Sequence, residues 1–210
     1  LSNDLQTASE QAVQLVAALS RHDRMTRGHT ERVRAYADVI AQEMRLSGDE
    51  LEHLRWGMLL HDIGKLNVPV EILNKPGTPT EAEWAIIRTH PAQAARLLLP
   101  LEPWLGHWVL AATEHHEWWD GSGYPLGLKG DEIPLSARLM ALADVFDALI
   151  SKRHYKVAFP LEESIRIIVD GRGKHFDPRI VDCFLQRIED FTSIADRYAD
   201  HPEDAGKEDS

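Results

Sequence analysis

Two adjacent pairs, His61-Asp62 and His115-His116, carry the most distinctive chemistry in this sequence. Both consist of side chains that bind cations, and both stand in apolar company. Leu59, Leu60 and Ile63 flank the first pair, and Ala111 and Ala112 precede the second. His29, His90 and Asp144 join them on or at the ends of expected helices, in a chain that holds eleven histidines. An ionised Asp144 inside the stretch MALADVFDALI is costly to bury unless it is paired or bound to a metal. Several such residues, mixing imidazole and carboxylate, point to one shared cation cluster. Neighbours on a helix differ by about 100° in direction, so His61 and Asp62 cannot fully share a face. They can still converge on two neighbouring metals if Asp62 bridges through its two oxygens. A mixed nitrogen and oxygen ligand set suits Fe, Mn or Zn better than Ca or Mg.

The elements that must position these residues read as helical almost throughout. Leu5, Ala8, Ala12, Leu15 and Leu19 recur at three- and four-residue spacing and mark a first amphipathic helix over about 1–20. Its stripe is suited to pack on the body, to pair with a second copy as a homodimer, or to continue upstream into another domain. A second helix is expected from about Thr30, with Val33, Ala37, Ile40 and Ala41 on one face. Ser47 with Glu50, and Thr80 with Glu83, read as capping boxes. Pro103, Pro134, Pro160 and Pro178 fit first turns of helices, and Asp177 fits an N-cap. Gly64 is expected to close the helix that carries Trp56, Met58, Leu59 and Leu60. Gly/Pro-rich loops occupy 74–79 and 120–130, and no segment alternates strongly enough for a strand. The expected fold is all-α, a compact bundle of roughly seven to nine helices.

Bulk properties narrow the function classes. With 210 residues the chain suits one domain, expected over 21–195. An acidic tail follows over 196–210 and reads as solvated, in a stretch from 189 onward with eight acids against Arg197 and Lys207. The net charge of -11 argues against nucleic-acid binding, which selects clustered Lys and Arg. No apolar run reaches the ~18 residues that membrane insertion needs. A lone Cys183 and the lack of a signal-like amino end fit the cytoplasm. The chain opens on Leu1 rather than Met, as expected of a domain cut from a longer protein or of a processed start.

With these residues in view, the sequence resembles the HD phosphohydrolase superfamily, and its stretch HHEWWDGSGYP from His115 to Pro125 is similar to the signature of the HD-GYP branch. The blocks His29-Thr30 with Arg32-Val33, HDIGKLNVP, ILNKPG, His90-Pro91, IPLSAR and ADVFDAL follow in family order over about 20–190. The resemblance implies a bundle of the HD-domain type and a phosphodiesterase that hydrolyses cyclic di-GMP to linear pGpG, or on to GMP. It implies His61, Asp62, His90, His115, His116 and Asp144 as metal ligands, with Asp62 bridging and His29 matching the ligand of a third metal in some members. It sets Lys65 beside the metals, and Arg153 and Lys156 on substrate phosphate, with Gly123 and Tyr124 at the substrate as well. Two cations ~3.5–4 Å apart can lower the pKa of a bridging water and clamp phosphoryl oxygens during in-line displacement. The hydroxide would expel a ribose 3′-oxygen, whose developing charge Lys65 can stabilise. Where some members have a Glu four residues before the first His, this chain has Met25, a poor ligand for a hard cation. Two ions, Fe or Mn, are therefore expected. A second departure is His154, where many members have Pro.

The resemblance further implies an upstream sensory domain, and a diguanylate cyclase or adaptor protein recognised through the 121–125 loop. Other readings stay open beside these. Lys65 could favour a helix end as a cation near the negative pole. Arg153 and Lys156 could be a solvated basic pair, and the Tyr124 loop only a tight turn. Trp118 and Trp119 are expected to pack the loop rather than stack on guanine. At the level of function, the rivals are an HD hydrolase of another nucleotide and a non-catalytic module that responds to cyclic di-GMP.

Overall fold

The computed structural model describes residues 3–23, 26–151 and 158–197. Met25, Arg153, His154, Lys156 and the tail from 198 onward lie outside them. The chain runs through α1 (Asn3–His22), α2 (Thr26–Glu43), α3 (Gly48–Leu60), α4 (Val70–Leu73), α5 (Glu81–Ile87) and α6 (His90–Leu98). It continues through α7 (Glu102–Leu105), α8 (Leu110–Glu114), α9 (Leu135–Ile150), α10 (Leu161–Asp170), α11 (Pro178–Gln186) and α12 (Ile188–Arg197). Among the described residues there is no strand, and nine of these helices have seven residues or more. The all-α expectation holds.

α9 is the central helix. Leu139 to Ala143 are buried without a break, and a helix apolar all round must be enclosed on all sides. Around it a first core joins α2, α3, α11 and α12 through Val33, Tyr36, Met58, Phe146, Phe184 and Phe191. Tyr36 lies flat on Phe191 at 4.8 Å and meets Phe146 edge-on at 5.3 Å. A second core joins α1 to α6 and the end of α3 through Ala12, Leu19, Leu60, Ile63, Ala94 and Leu98. The stripe on α1 therefore packs on the body of its own chain. α3 and α8 feed both cores, Met58 and Ala111 in the first, Leu60 and Ala112 in the second.

Local chemistry sets most helix starts. Both capping boxes form, with Glu50 N–H donating to Ser47 and Glu83 N–H donating to Thr80, each at 3.3 Å. Asp177 accepts from Arg179 N–H at 2.9 Å and caps α11. Pro178 and Pro103 sit in first turns, whereas Pro134 and Pro160 stand one residue earlier, at the cap position itself. α2 begins at Thr26, four residues before the expected Thr30.

Gly64 corrects the reading of α3, which ends at Leu60; the chain then passes into a 3₁₀ turn over Ile63–Asn67 that contains this glycine. A Cβ at Gly64 would collide with the carbonyl oxygen of His90 and stand 2.7 Å from Ala94 N. The glycine lets α6 press against the turn; it does not cap a helix.

Candidate metal centre

His61 and Asp62 converge because the helix stops beneath them. His61 keeps helical angles as the C-cap of α3, while Asp62 has φ -95° and ψ 8°, the bridge region common among active-site residues. The 100° divergence expected along a continuous helix therefore does not apply. His115 repeats the arrangement as the C-cap of α8. His90 opens α6, His29 lies within α2, and Asp144 lies on α9. Helices of both cores thus deliver ligands to one place.

Two groups form there. His29, His61 and Asp144 bring ligand atoms within 4.8 Å of one another, and so do His90, His115 and His116. In the first, His29 Nε2 stands 3.3 Å from His61 Nε2 and 3.5 Å from Asp144 Oδ1. In the second, His90 Nε2 stands 3.3 Å from Nε2 of both His115 and His116. Asp62 spans the two, with Oδ2 3.2 Å from His61 Nε2 and Oδ1 3.5 Å from His90 Nε2. Lys65 Nζ donates to Asp62 Oδ2 at 2.6 Å and lies 3.5 Å from Asp23 Oδ2.

The donor set fits cations. His61 gives its Nδ1–H to Met58 O at 2.7 Å and His90 gives its own to Ile87 O at 2.8 Å. His29 Nδ1–H faces Asp147 Oδ2 at 2.8 Å. These partners assign the hydrogen to Nδ1 in each neutral ring and leave Nε2 with a lone pair. Lone pairs meeting at 3.3 Å repel one another unless positive charge lies between them. Burial, reinforced by His90 and His61, pushes the His115 imidazole down to about 3. Burial and neighbouring rings also hold His116 well below its ordinary value, and burial lowers His90 against the pull of Asp62. These rings are thus neutral, the ligating form. His61 goes the other way: burial pulls it down, but Asp62 and Asp144 together outweigh that and raise it. Positive charge is favoured at His61 Nε2, whether a proton or a metal ion carries it. Burial opposes ionisation of Asp62, yet Lys65 and His61 hold its carboxyl well below the usual range.

The 120–130 loop closes over the second group. Tyr124 lies flat on the His116 ring, 4.8 Å away at 16°, and its N–H donates to His116 O at 3.1 Å. Burial pushes its phenol up to about 12. Gly123 packs on backbone: a Cβ would stand 2.5 Å from His116 O and closer still to Trp118 N. Buried Glu117 accepts from the N–H groups of Leu126, Gly127 and Leu128 at 2.6, 3.1 and 3.0 Å. Trp118 stacks on His175 at 4.2 Å, and the guanidinium groups of Arg138 and Arg179 lie over the Trp119 ring, 5.8 and 5.4 Å from its centroid. The structure thus brings together His29, His61, Asp62, Lys65, His90, His115, His116, Asp144 and Tyr124. Gly123 acts through the loop backbone, and Arg153 and Lys156 lie outside the described residues.

Sequence reasoning missed Asp147, Arg32 and Glu117 as individual residues. Asp147 carried a usable signal, since the cost of burying Asp144 in an apolar helix applies equally one turn later. Arg32 donates from Nε to Asp147 Oδ1 at 2.6 Å and from Nη2 to Oδ2 at 3.2 Å.

Comparisons with known proteins bear on the family of the chain. A family model described as HD domain matches residues 14–180. The chain is 42% identical to a probable cyclic di-GMP phosphodiesterase of Vibrio cholerae, covering 95% of this chain and 49% of that protein. It is 39% identical to a 3'3'-cGAMP-specific phosphodiesterase of the same organism, covering 87% of this chain and 39% of the relative. A solved structure of a cyclic GMP-AMP-specific phosphodiesterase of V. cholerae shares the fold, with TM-score 0.62 at 24% identity over 92% of this chain and 53% of that one. The chain thus spans about half or less of the length of these relatives. With its His-Asp pair buried at the seam of two cores and the family match running across most of its length, the chain belongs to the HD-domain family.

Proposed function

We propose that this chain is a metal-dependent phosphodiesterase that hydrolyses cyclic di-GMP to linear pGpG in the cytoplasm. The observation that carries the reading is Asp62, whose two oxygens face one ligand group each. In this reading His29, His61 and Asp144 would hold one ion, His90, His115 and His116 would hold a second, and Asp62 would offer one oxygen to each. Fe or Mn suits the donors. The ions, when bound, supply Lewis-acid polarisation of the phosphoryl oxygens and a water of lowered pKa.

The protein's own residues do the rest. Lys65 stays charged, because Asp62 and Asp23 outweigh its burial, and it serves as a fixed positive charge for the departing 3′-oxygen. Water adds to phosphorus, the bond to the ribose 3′-oxygen breaks, and that oxygen takes up a proton. Tyr124 keeps its phenolic hydrogen and can donate it to a phosphate oxygen. Arg153 and Lys156 are assigned to substrate phosphate. The length of the relatives supports a role as the output domain of a larger sensor.

A second reading has its own support: a relative 39% identical is named for 3'3'-cGAMP. Purified chain loaded anaerobically with Fe(II) or Mn(II) and given each dinucleotide separates the two. Linear pGpG from cyclic di-GMP is the expected result. Turnover of 3'3'-cGAMP alone moves the substrate, and turnover of neither sinks the enzymatic reading.

A further inference from the structure

The His29 ring is gripped at both nitrogens by carboxylates one turn apart on α9. Asp144 Oδ1 lies 3.5 Å from Nε2 and Asp147 Oδ2 lies 2.8 Å from Nδ1. We propose that Asp147 is a positioning residue of the metal centre, which fixes the hydrogen of His29 on Nδ1 and aims its Nε2 at the ion shared with His61 and Asp144. This rests on the reading that the His29 group holds an ion.

Asp147 is placed to orient and not to ligate. Its side chain is buried on the far side of the imidazole, and both oxygens are engaged. Arg32 holds Oδ1 and Oδ2, and Ser151 Oγ stands 3.4 Å from Oδ2 while receiving a bond from Arg32 Nη2 at 3.0 Å. His61 and His90 are instead oriented by carbonyl oxygens three residues behind them. His29 lies inside α2, where backbone carbonyls serve the helix itself, so its orientation must come from another element. A carboxylate does more than a carbonyl could. Its charge on Nδ1–H strengthens the electron donation of Nε2, the usual arrangement behind a metal-bound histidine. A plain ion pair with Arg32 would not need the 2.8 Å contact to His29, which is shorter than the 3.2 Å contact of Arg32 Nη2 to the same oxygen.

The test uses the full chain stripped of metal with a chelator and titrated with Mn(II), followed by calorimetry and electron paramagnetic resonance. Wild-type protein should take up two ions. Asp147→Asn should keep one at wild-type affinity and bind the other about 10- to 100-fold more weakly. Since that change takes a carboxylate away from the buried Arg32, the double variant Asp147→Asn/Arg32→Gln is measured beside it and should behave alike. Equal weakening of both ions, or of neither, overturns the role. A second readout needs no variant: the ring-nitrogen NMR spectrum of metal-free wild type should show His29 with its hydrogen on Nδ1. Hydrogen on Nε2 would refute the proposal. Wild type that takes up fewer than two ions defeats the metal reading instead, and the tautomer still decides the Asp147 contact.

Discussion

The ring of Tyr124 lies against that of His116 with centroids 4.8 Å apart and planes within 16°. The Gly-Tyr-Pro loop is thereby a wall of the metal centre as well as a surface feature. A stacked pair of this kind is worth ~0.5–1.5 kcal/mol beyond the area it buries. Tyr124→Ala should weaken Mn(II) binding roughly 3- to 10-fold, and Tyr124→Phe should bind as wild type. Calorimetric titration of both variants checks this; equal loss in both would assign the effect to the hydroxyl.

Gly123 has no room for a methyl group, and the obstacles are backbone atoms of His116 and Trp118 that cannot swing aside. Gly123→Ala should destabilise the chain by about 1–3 kcal/mol and displace His116. Urea unfolding reads the first effect and Mn(II) titration the second. A variant that is fully stable with unchanged metal binding would contradict this account of the loop.

Stability of the metal-stripped chain should fall as the medium becomes acidic. His115, pushed to about 3, and the lowered His90 and His116 bind protons less readily when folded than their ordinary value of 6.5 allows. Between pH 6.5 and pH 3 the unfolded chain therefore takes up protons that the folded chain refuses. Their contribution is complete above about 6.5 and is lost on the way down. His61, raised, acts in reverse: its contribution is complete below 6.5 and lost as pH rises through its folded value. His175, pushed by burial down to about 4, acts with the lowered rings, so four oppose one and urea midpoints should drop from pH 7 to pH 5. A flat profile would contradict the burial of neutral imidazoles.

Asp62→Ala should strip both ligand groups of their common oxygen donor. Turnover should fall at least about 100-fold and metal content should drop toward zero. Elemental analysis after gel filtration checks it; two ions retained would exclude the bridging role.

Thr80→Ala serves as a contrast. It removes the N-terminal cap of α5, at the opposite end of that helix from Ile87, whose carbonyl receives His90 Nδ1–H, and should cost about 1 kcal/mol with metal binding unchanged. Chemical denaturation measures it.

What was legible in the sequence was what local chemistry decides. Ser47, Thr80 and Asp177 cap helices through contacts two or three residues away, so their motifs suffice. That His29, His61, His90, His115, His116 and Asp144 gather in one place was legible because polar residues stand in apolar runs and in the order of a known family. Residues whose reason lies across the fold were not. Gly64 answers to His90, twenty-six positions on, and looked like a helix stop. Glu117 answers to the amides of 126–128, and Asp147 to His29 and Arg32 on another helix. The convergence of His61 with Asp62 depended on where α3 ends, which is set by the packing of α6 on the next turn.

The span of Asp62 between His61 and His90 bears on how accurately the centre can be built. A carboxylate holds its two oxygens at a distance set by bond lengths and not by the packing of helices. His61 and His90, which face those oxygens, both ride on the second core, through the end of α3 and through α6, whereas His29 and Asp144 ride on helices of the first. Small breathing of one core against the other would therefore be felt between His61 and its neighbours His29 and Asp144 before it reached the two contacts of Asp62.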